Sequence, residues 1–206
     1  MTISYPLNMP AVASENQPAQ VDYQPVDQVA VGKNPYNFKT TVFVWPGDMW
    51  RISVALPVLS RAEAAEWEGF LYALRGKQGT FLWADKAQKA PLGIASGTPK
   101  VNGAVADGAG VIPTKGWTAG VTGILKKGDL LQIDNSLYKV VYADVNSSGA
   151  GLASIDVWPT CRGHADNAAI TVLNPKCLMR LCDPAWTISI GPNRGFLISF
   201  AAEEAL

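Results

Sequence analysis

Histidine is nearly absent: His164 is the only one among 206 residues. That removes the usual base for a serine or cysteine nucleophile and thins any imidazole-rich metal set. Cys161, Cys177 and Cys182 are odd in number and form no C-x-x-C pair. They are expected as small buried or half-buried thiols in a reducing compartment. Cys161 and His164 form one thin metal pair with no further ligand beside them, so no metal and no other cofactor is expected. Charge is also scarce. Charged residues make up 17% of the chain, below the usual quarter, and they cancel to a formal net charge of zero. No basic excess steers the chain to nucleic acid, and no acidic run suggests a solvating tail. No apolar run is long enough to span a membrane, and the first residues lack the basic and apolar regions of a signal peptide. No P-loop and no dinucleotide fingerprint is present. Gly76-Lys77-Gln78-Gly79-Thr80 has a similar composition but follows a helix pattern, so it reads as a helix end leading into a strand.

What is present is best ordered from Trp45 to Trp83. Trp50, Ile52, Val54 and Leu56 alternate with Arg51, Ser53 and Ala55, the period of a half-buried strand. Pro57 stops the run. Ser60-Arg61-Ala62-Glu63 is a capping box, and Trp67, Phe70, Leu71 and Leu74 form an apolar stripe at helical spacing. These residues predict a helix over 61–75, closed by Gly76 in a left-handed conformation. Thr80 to Trp83 is the next strand. The stripe has to be buried, and the face carrying Trp50, Ile52 and Val54 is the nearest apolar surface.

Residues 1–35 are rich in proline, glutamine and asparagine and are expected as an extended arm over this chain's surface or a neighbour's, in which short apolar pieces such as Val29-Ala30-Val31 could add a strand. Tyr36 to Val44 alternates and is expected to pair with the strand from Trp50 through the Pro46-Gly47-Asp48 turn. After Trp83 the character changes. Twelve of the 19 glycines fall between Gly93 and Gly163. Short strands are expected at Pro99–Val105, Gly110–Pro113, Leu130–Ile133, Leu137–Val145, Ala153–Trp158 and Ala168–Leu173, a spacing that suits a small barrel or sandwich. Cys177–Leu181, Trp186–Ile190 and Phe196–Ala202 match the first half in bulk and period. The expected organisation is therefore 36–88 with 177–206 as one β domain, and 89–176 as a second domain inserted into it.

Candidate chemistry is sparse. His164 reads as a loop histidine, with catalysis as the sharper alternative. Asp129, Asp134, Asp144 and Asp156 sit by turns or alternate along strands and are expected to face solvent; the alternative is a carboxylate pair for glycoside hydrolysis. Trp117 lies in a Gly-rich stretch. It either packs in a core or interface or stacks on a sugar, with Lys115 and Tyr138 as neighbouring contacts. The chain is not expected to be an enzyme.

Two sets of segments carry a family likeness. One is Trp50-Arg51-Ile52-Ser53-Val54-Ala55-Leu56-Pro57, Ser60 to Ala64, Trp67 to Leu71 and Leu74 to Phe81. The other is Gly97 to Ala104, Gly116-Trp117, Leu125 to Asp129 and Leu137 to Val141. From about Tyr36 onward the chain resembles the distal tail proteins of long-tailed bacteriophages with non-contractile tails. The resemblance implies a mainly β fold: a β-sandwich ring domain with one flanking α-helix, plus an inserted small β-barrel of the oligonucleotide/oligosaccharide-binding (OB) type. It implies a structural protein of the virion tail tip, made in the bacterial cytoplasm, and usually a homohexameric ring with a central channel for DNA passage. Implied partners are its own copies, the tail tube protein, a hub, baseplate or fibre protein, and the tape-measure protein. A host polysaccharide is a further partner if the barrel takes part in host attachment, with Trp117, Lys115 and Tyr138 as the candidate contacts. No membrane insertion and no sequence-specific nucleic-acid binding is expected, and no catalytic residue carries over.

Overall fold

The structure, a computed structural model, describes residues 3–10, 18–45, 47–192 and 194–206. Pro46, part of the expected turn, lies outside the described residues. The chain begins with β1 (Leu7–Asn8), β2 (Gln20–Val26), β3 (Val29–Lys33), β4 (Thr40–Val44) and β5 (Met49–Ala55). Helix α1 (Arg61–Ala73) and β6 (Thr80–Ala84) follow. The Gly-rich region holds β7 (Gly97–Val101), β8 (Val105–Asp107), β9 (Val111–Trp117) and β10 (Leu130–Ile133). It continues with β11 (Ser136–Val140), β12 (Ala153–Trp158), β13 (Arg162–His164) and β14 (Ile170–Thr171). The last elements are β15 (Lys176–Leu181), β16 (Thr187–Ile190) and β17 (Phe196–Glu204).

The helix starts where its capping box predicts. Ser60 Oγ accepts from Glu63 N at 3.5 Å, and Glu63 Oε2 accepts from Ser60 N at 2.8 Å, so two otherwise orphaned N–H groups are satisfied. The helix is capped at Leu74, and the chain then leaves through two left-handed residues, Arg75 (φ 50°) and Gly76 (φ 64°). Trp67 meets Phe200 at 6.1 Å between ring centroids, and Phe70 meets Phe81 edge-on at 5.5 Å. The stripe therefore lies on the sheet, as its spacing requires.

That sheet runs β1-β6-β15-β17-β5-β2, with β16 beside the first half of β17. Only the β1–β6 pair is parallel. Trp50, Ile52 and Val54 of β5 share the buried face with Phe200 and Ala202 of β17 and with Cys177 and Met179 of β15. The sheet folds over its own core. Tyr23 of β2 stands edge-on to Trp50 at 6.0 Å, and its hydroxyl accepts from Trp83 Nε1 of β6 at 3.3 Å. Strands near opposite ends of the sheet thus face each other as the layers of a sandwich do, with α1 on the flank.

The second core is a barrel in the order β14-β10-β11-β12-β9-β7. It closes through Val101 N donating to Ala168 O at 2.9 Å and Asn167 N donating to Val101 O at 3.1 Å. β8 and β13 form a separate two-stranded pair beside it. The molecule is thus mainly β, with a sandwich-like sheet domain, one flanking helix and a small barrel inserted between β6 and β15.

Two expectations are corrected. Residues 7–8 and 20–26 of the expected arm are strands of the sheet itself. The expected pairing of Tyr36–Val44 with the strand from Trp50 does not occur. β4 pairs with β3, Val31 opposite Val42, and β5 pairs with β2 and β17. Both edges of β5 are taken by strands that bring apolar residues to its buried face. Phe38, at a positive φ of 56°, lies in the β3–β4 turn and not in a strand.

Candidate functional site

The three proposed contacts do not form an open site. Trp117 is 4% exposed at the end of β9, with Nε1 donating to Thr114 Oγ1 at 2.8 Å. Tyr138 is fully buried in the barrel core. Lys115 faces outward and pairs with Asp166 at 2.8 Å. Trp117 therefore takes the core-packing alternative, and the reading of Tyr138 as a surface contact is corrected. The glycines that made the Trp117 region look like a loop belong to barrel closure. Gly116 has φ +85°, and a Cβ there would press into the Thr98 carbonyl oxygen; one on Gly97 would press into Gly116 O. The chain needs glycine where two strands meet at the β7–β9 register shift.

His164 and Asp129 are corrected too. His164 is buried, not a solvated loop residue. Its Nε2 lies 2.8 Å from Tyr138 Oη, and its Nδ1 lies 2.9 Å from Asp134 Oδ2. The Asp134 carboxylate can only accept, so His164 Nδ1 donates to it, and Tyr138 Oη accepts from Arg162 N at 2.9 Å. Burial pushes the Tyr138 phenol up. The row Asp134–His164–Tyr138 therefore ends on a protonated hydroxyl inside a core. Asp129 is buried as well and accepts from the N–H groups of Leu92, Gly93 and Lys126 at 2.7, 3.0 and 2.7 Å. It ties the chain entering the barrel to the loop before β10. Burial also pushes all three cysteine thiols up, which leaves them protonated and weakly nucleophilic.

The densest polar cluster lies at the seam between the domains, and the sequence offered no motif for it. Arg162 reaches out of the barrel. Its Nη2 donates to Asp48 O and to Glu204 Oε2 (3.2 Å), and its Nη1 stands 3.6 Å from Asp48 Oδ1. Thr160 Oγ1 donates to Asp48 Oδ1 at 2.6 Å, and Glu204 Oε2 also accepts from Trp50 N at 3.3 Å. Burial raises the Glu204 carboxyl above its usual range, against the pull of Arg162. Burial alone would lower Arg162; the hydrogen bond and charge of Glu204, with the charge of Asp48, more than reverse this, so the guanidinium stays charged. Around this node Trp50 Nε1 donates to Leu137 O at 2.7 Å, and Trp158 stands edge-on to Trp50 at 4.7 Å. Leu130 and Leu137 of the barrel sit in the sheet domain's own core. The cluster has the composition of a weld: it fixes the barrel on the sheet.

The other distinctive surface is the β3–β4 hairpin. Val29 lies opposite Val44, and Val31 opposite Val42, so four valines share one face. Each is between 48% and 73% exposed. Behind them Phe43 stacks on Trp45 at 6.4 Å, and both are exposed. Burying a valine is worth about 1.5–3 kcal/mol. Four left wet forgo an amount comparable to the stability of a small domain. A two-stranded hairpin is also marginal by itself in water. This element therefore has the properties of a contact surface.

No protein-family model matches the chain, and no curated protein matches it. Among the described residues no group of three or more histidine, cysteine, aspartate or glutamate side chains is placed to hold a metal, and no helix is long and apolar enough to cross a membrane.

Proposed function

We propose that this chain is a structural subunit of a phage tail tip: a ring-forming adaptor at the distal end of a long non-contractile tail. In this reading it joins the tube protein to a hub, baseplate or fibre protein beside the tape-measure protein, around a channel for DNA. The observation that carries the self-assembling part is the valine-faced hairpin, whose four valines are left exposed by the described residues. A second copy of the chain would cover it, and repetition of that contact closes a ring and hides the hairpin edges. The family likeness of the sequence supports the place in the tail. The weld at Asp48, Arg162 and Glu204 suits a part that has to hold its shape between larger assemblies. Sugar stacking by Trp117 and Tyr138 is not part of the proposal, because both are buried.

Light-scattering mass in solution tests it. The native chain is expected to form a closed oligomer, alone or with tube and hub partners. A Val31→Lys, Val42→Glu double variant keeps an opposed pair across the hairpin and should weaken each contact roughly 100-fold, from two lost apolar burials. A native chain that stays strictly monomeric, both alone and with those partners, overturns the proposal.

A further inference from the structure

We infer that a lysine-rimmed cleft where the chain passes between the two domains binds an acidic, partly apolar peptide segment of a partner protein. The cleft holds about 410 Å³. Three separate stretches build it: the end of the N-terminal segment, the exit from β6 and the entry to β15. Their convergence follows from the pairing. Asn8 lies opposite Leu82, Lys176 opposite Ala84, and Asn174 N donates to Lys89 O at 2.6 Å. Lys86, Lys89 and Lys176 therefore surround a floor of Leu82, Ala84 and Pro10.

Two features specify the occupant. The first is charge. Among the described residues no acidic side chain lines the cleft, and none of the three ammonium groups is in an ion pair. Asp85 is beside Lys86 in sequence but is held elsewhere: it accepts from Ala87 N at 2.8 Å and Gln88 Nε2 at 3.0 Å and acts on Tyr23. In a chain with zero formal charge, three uncompensated cations at one cleft form a local anion-attracting field. The second feature is the floor. A free phosphate or a nucleic-acid backbone has no use for Leu82, Ala84 and Pro10. A peptide that alternates carboxylate and aliphatic side chains matches both rim and floor. Lysine, a mobile point charge, also suits single carboxylates of variable position better than a fixed fork would. The inference does not depend on ring formation, because one copy of the chain contains the whole cleft.

The test uses the full chain and a fluorescein-labelled Glu-Leu-Glu-Glu-Leu-Glu peptide, followed by fluorescence anisotropy. Expected is saturable binding that weakens roughly tenfold in the Lys86→Gln, Lys89→Gln, Lys176→Gln triple variant, since exposed charge pairs each contribute modestly. Binding should be unaffected by Lys139→Gln on the barrel and should fall with added salt. The triple variant changes no buried side chain, so its melting temperature should match the native one, and a match confirms that lost binding is local. No saturable binding overturns the inference. So does equal binding of Gln-Leu-Gln-Gln-Leu-Gln, which would make the cleft merely apolar, or an equal loss in Lys139→Gln, which would make the attraction diffuse. Pyrophosphate competing as strongly as the peptide would assign the site to a small anion instead.

Discussion

At Trp117 the difference between a surface aromatic and a core aromatic becomes measurable. Trp117→Ala removes a buried ring from the barrel and leaves Thr114 Oγ1 without its indole donor. Unfolding free energy is expected to fall by about 3–5 kcal/mol in urea titration. A protein whose stability is unchanged but whose sugar affinity is lost would reverse the assignment. Glu204 makes the opposite kind of prediction, in pH. Its carboxyl is raised in the folded chain, so between the ordinary glutamate value of about 4.3 and the raised one the folded state holds more protons than the unfolded state. Stability from this residue is full below that window and is lost as pH rises through it. Subtracting the stability of a Glu204→Gln variant from that of the native chain should give a difference that declines as pH rises. A difference that grows with pH would contradict the burial argument.

For whole elements, legibility in the sequence depended on whether the signal was local. Helix α1 was readable because a capping box and a 3.6-residue stripe are written in consecutive residues. The strands Leu130–Ile133 and Ala153–Trp158 were readable for the same reason. The β3–β4 pairing was not, because the alternation of Tyr36–Val44 suits pairing on either side, and the two edges of β5 are taken by β2 and by the distant β17. The barrel strands around Trp117 were blurred by glycines that read as loop and serve close strand approach. Substituting one of them tests that account. Gly116→Ala is expected to cost about 1–3 kcal/mol, from a left-handed backbone and a carbonyl clash together. Gly103, also at positive φ but with open space around its Cβ position, should pay only the backbone part. Equal costs at the two sites, in thermal melts of both variants, would mean that close approach is not the reason for Gly116.

At the level of the whole molecule, the insertion of the barrel was visible as a change in composition, while the weld was not. Asp48 read as turn chemistry because nothing in its neighbourhood signs for Thr160 and Arg162, 112 and 114 residues on, and His164 read as loop because its partners Tyr138 and Asp134 meet it only in the folded barrel. Two cores joined by Leu130 and Leu137, which the barrel strands place in the sheet domain's core, and by Arg162 should unfold together. One calorimetric transition is expected for the native chain, and Arg162→Ala, which strands Glu204 and Asp48 without their cation, should lower stability by about 3–5 kcal/mol. Two well-separated native transitions would show that the domains are merely tethered.

The hydrogen bond from Asn174 to Lys89 has one more consequence. The chain leaves the sheet and comes back to it at nearly the same point, so residues 90–173 are joined to it covalently at one spot, like a cartridge in a socket whose walls are the contacts around Arg162. Any compact domain whose own ends lie side by side fits that socket without stretching β6 or β15. A different cartridge would, however, meet bare ends at Trp50, Asp48 and Glu204, and those three positions would have to be rewritten along with it.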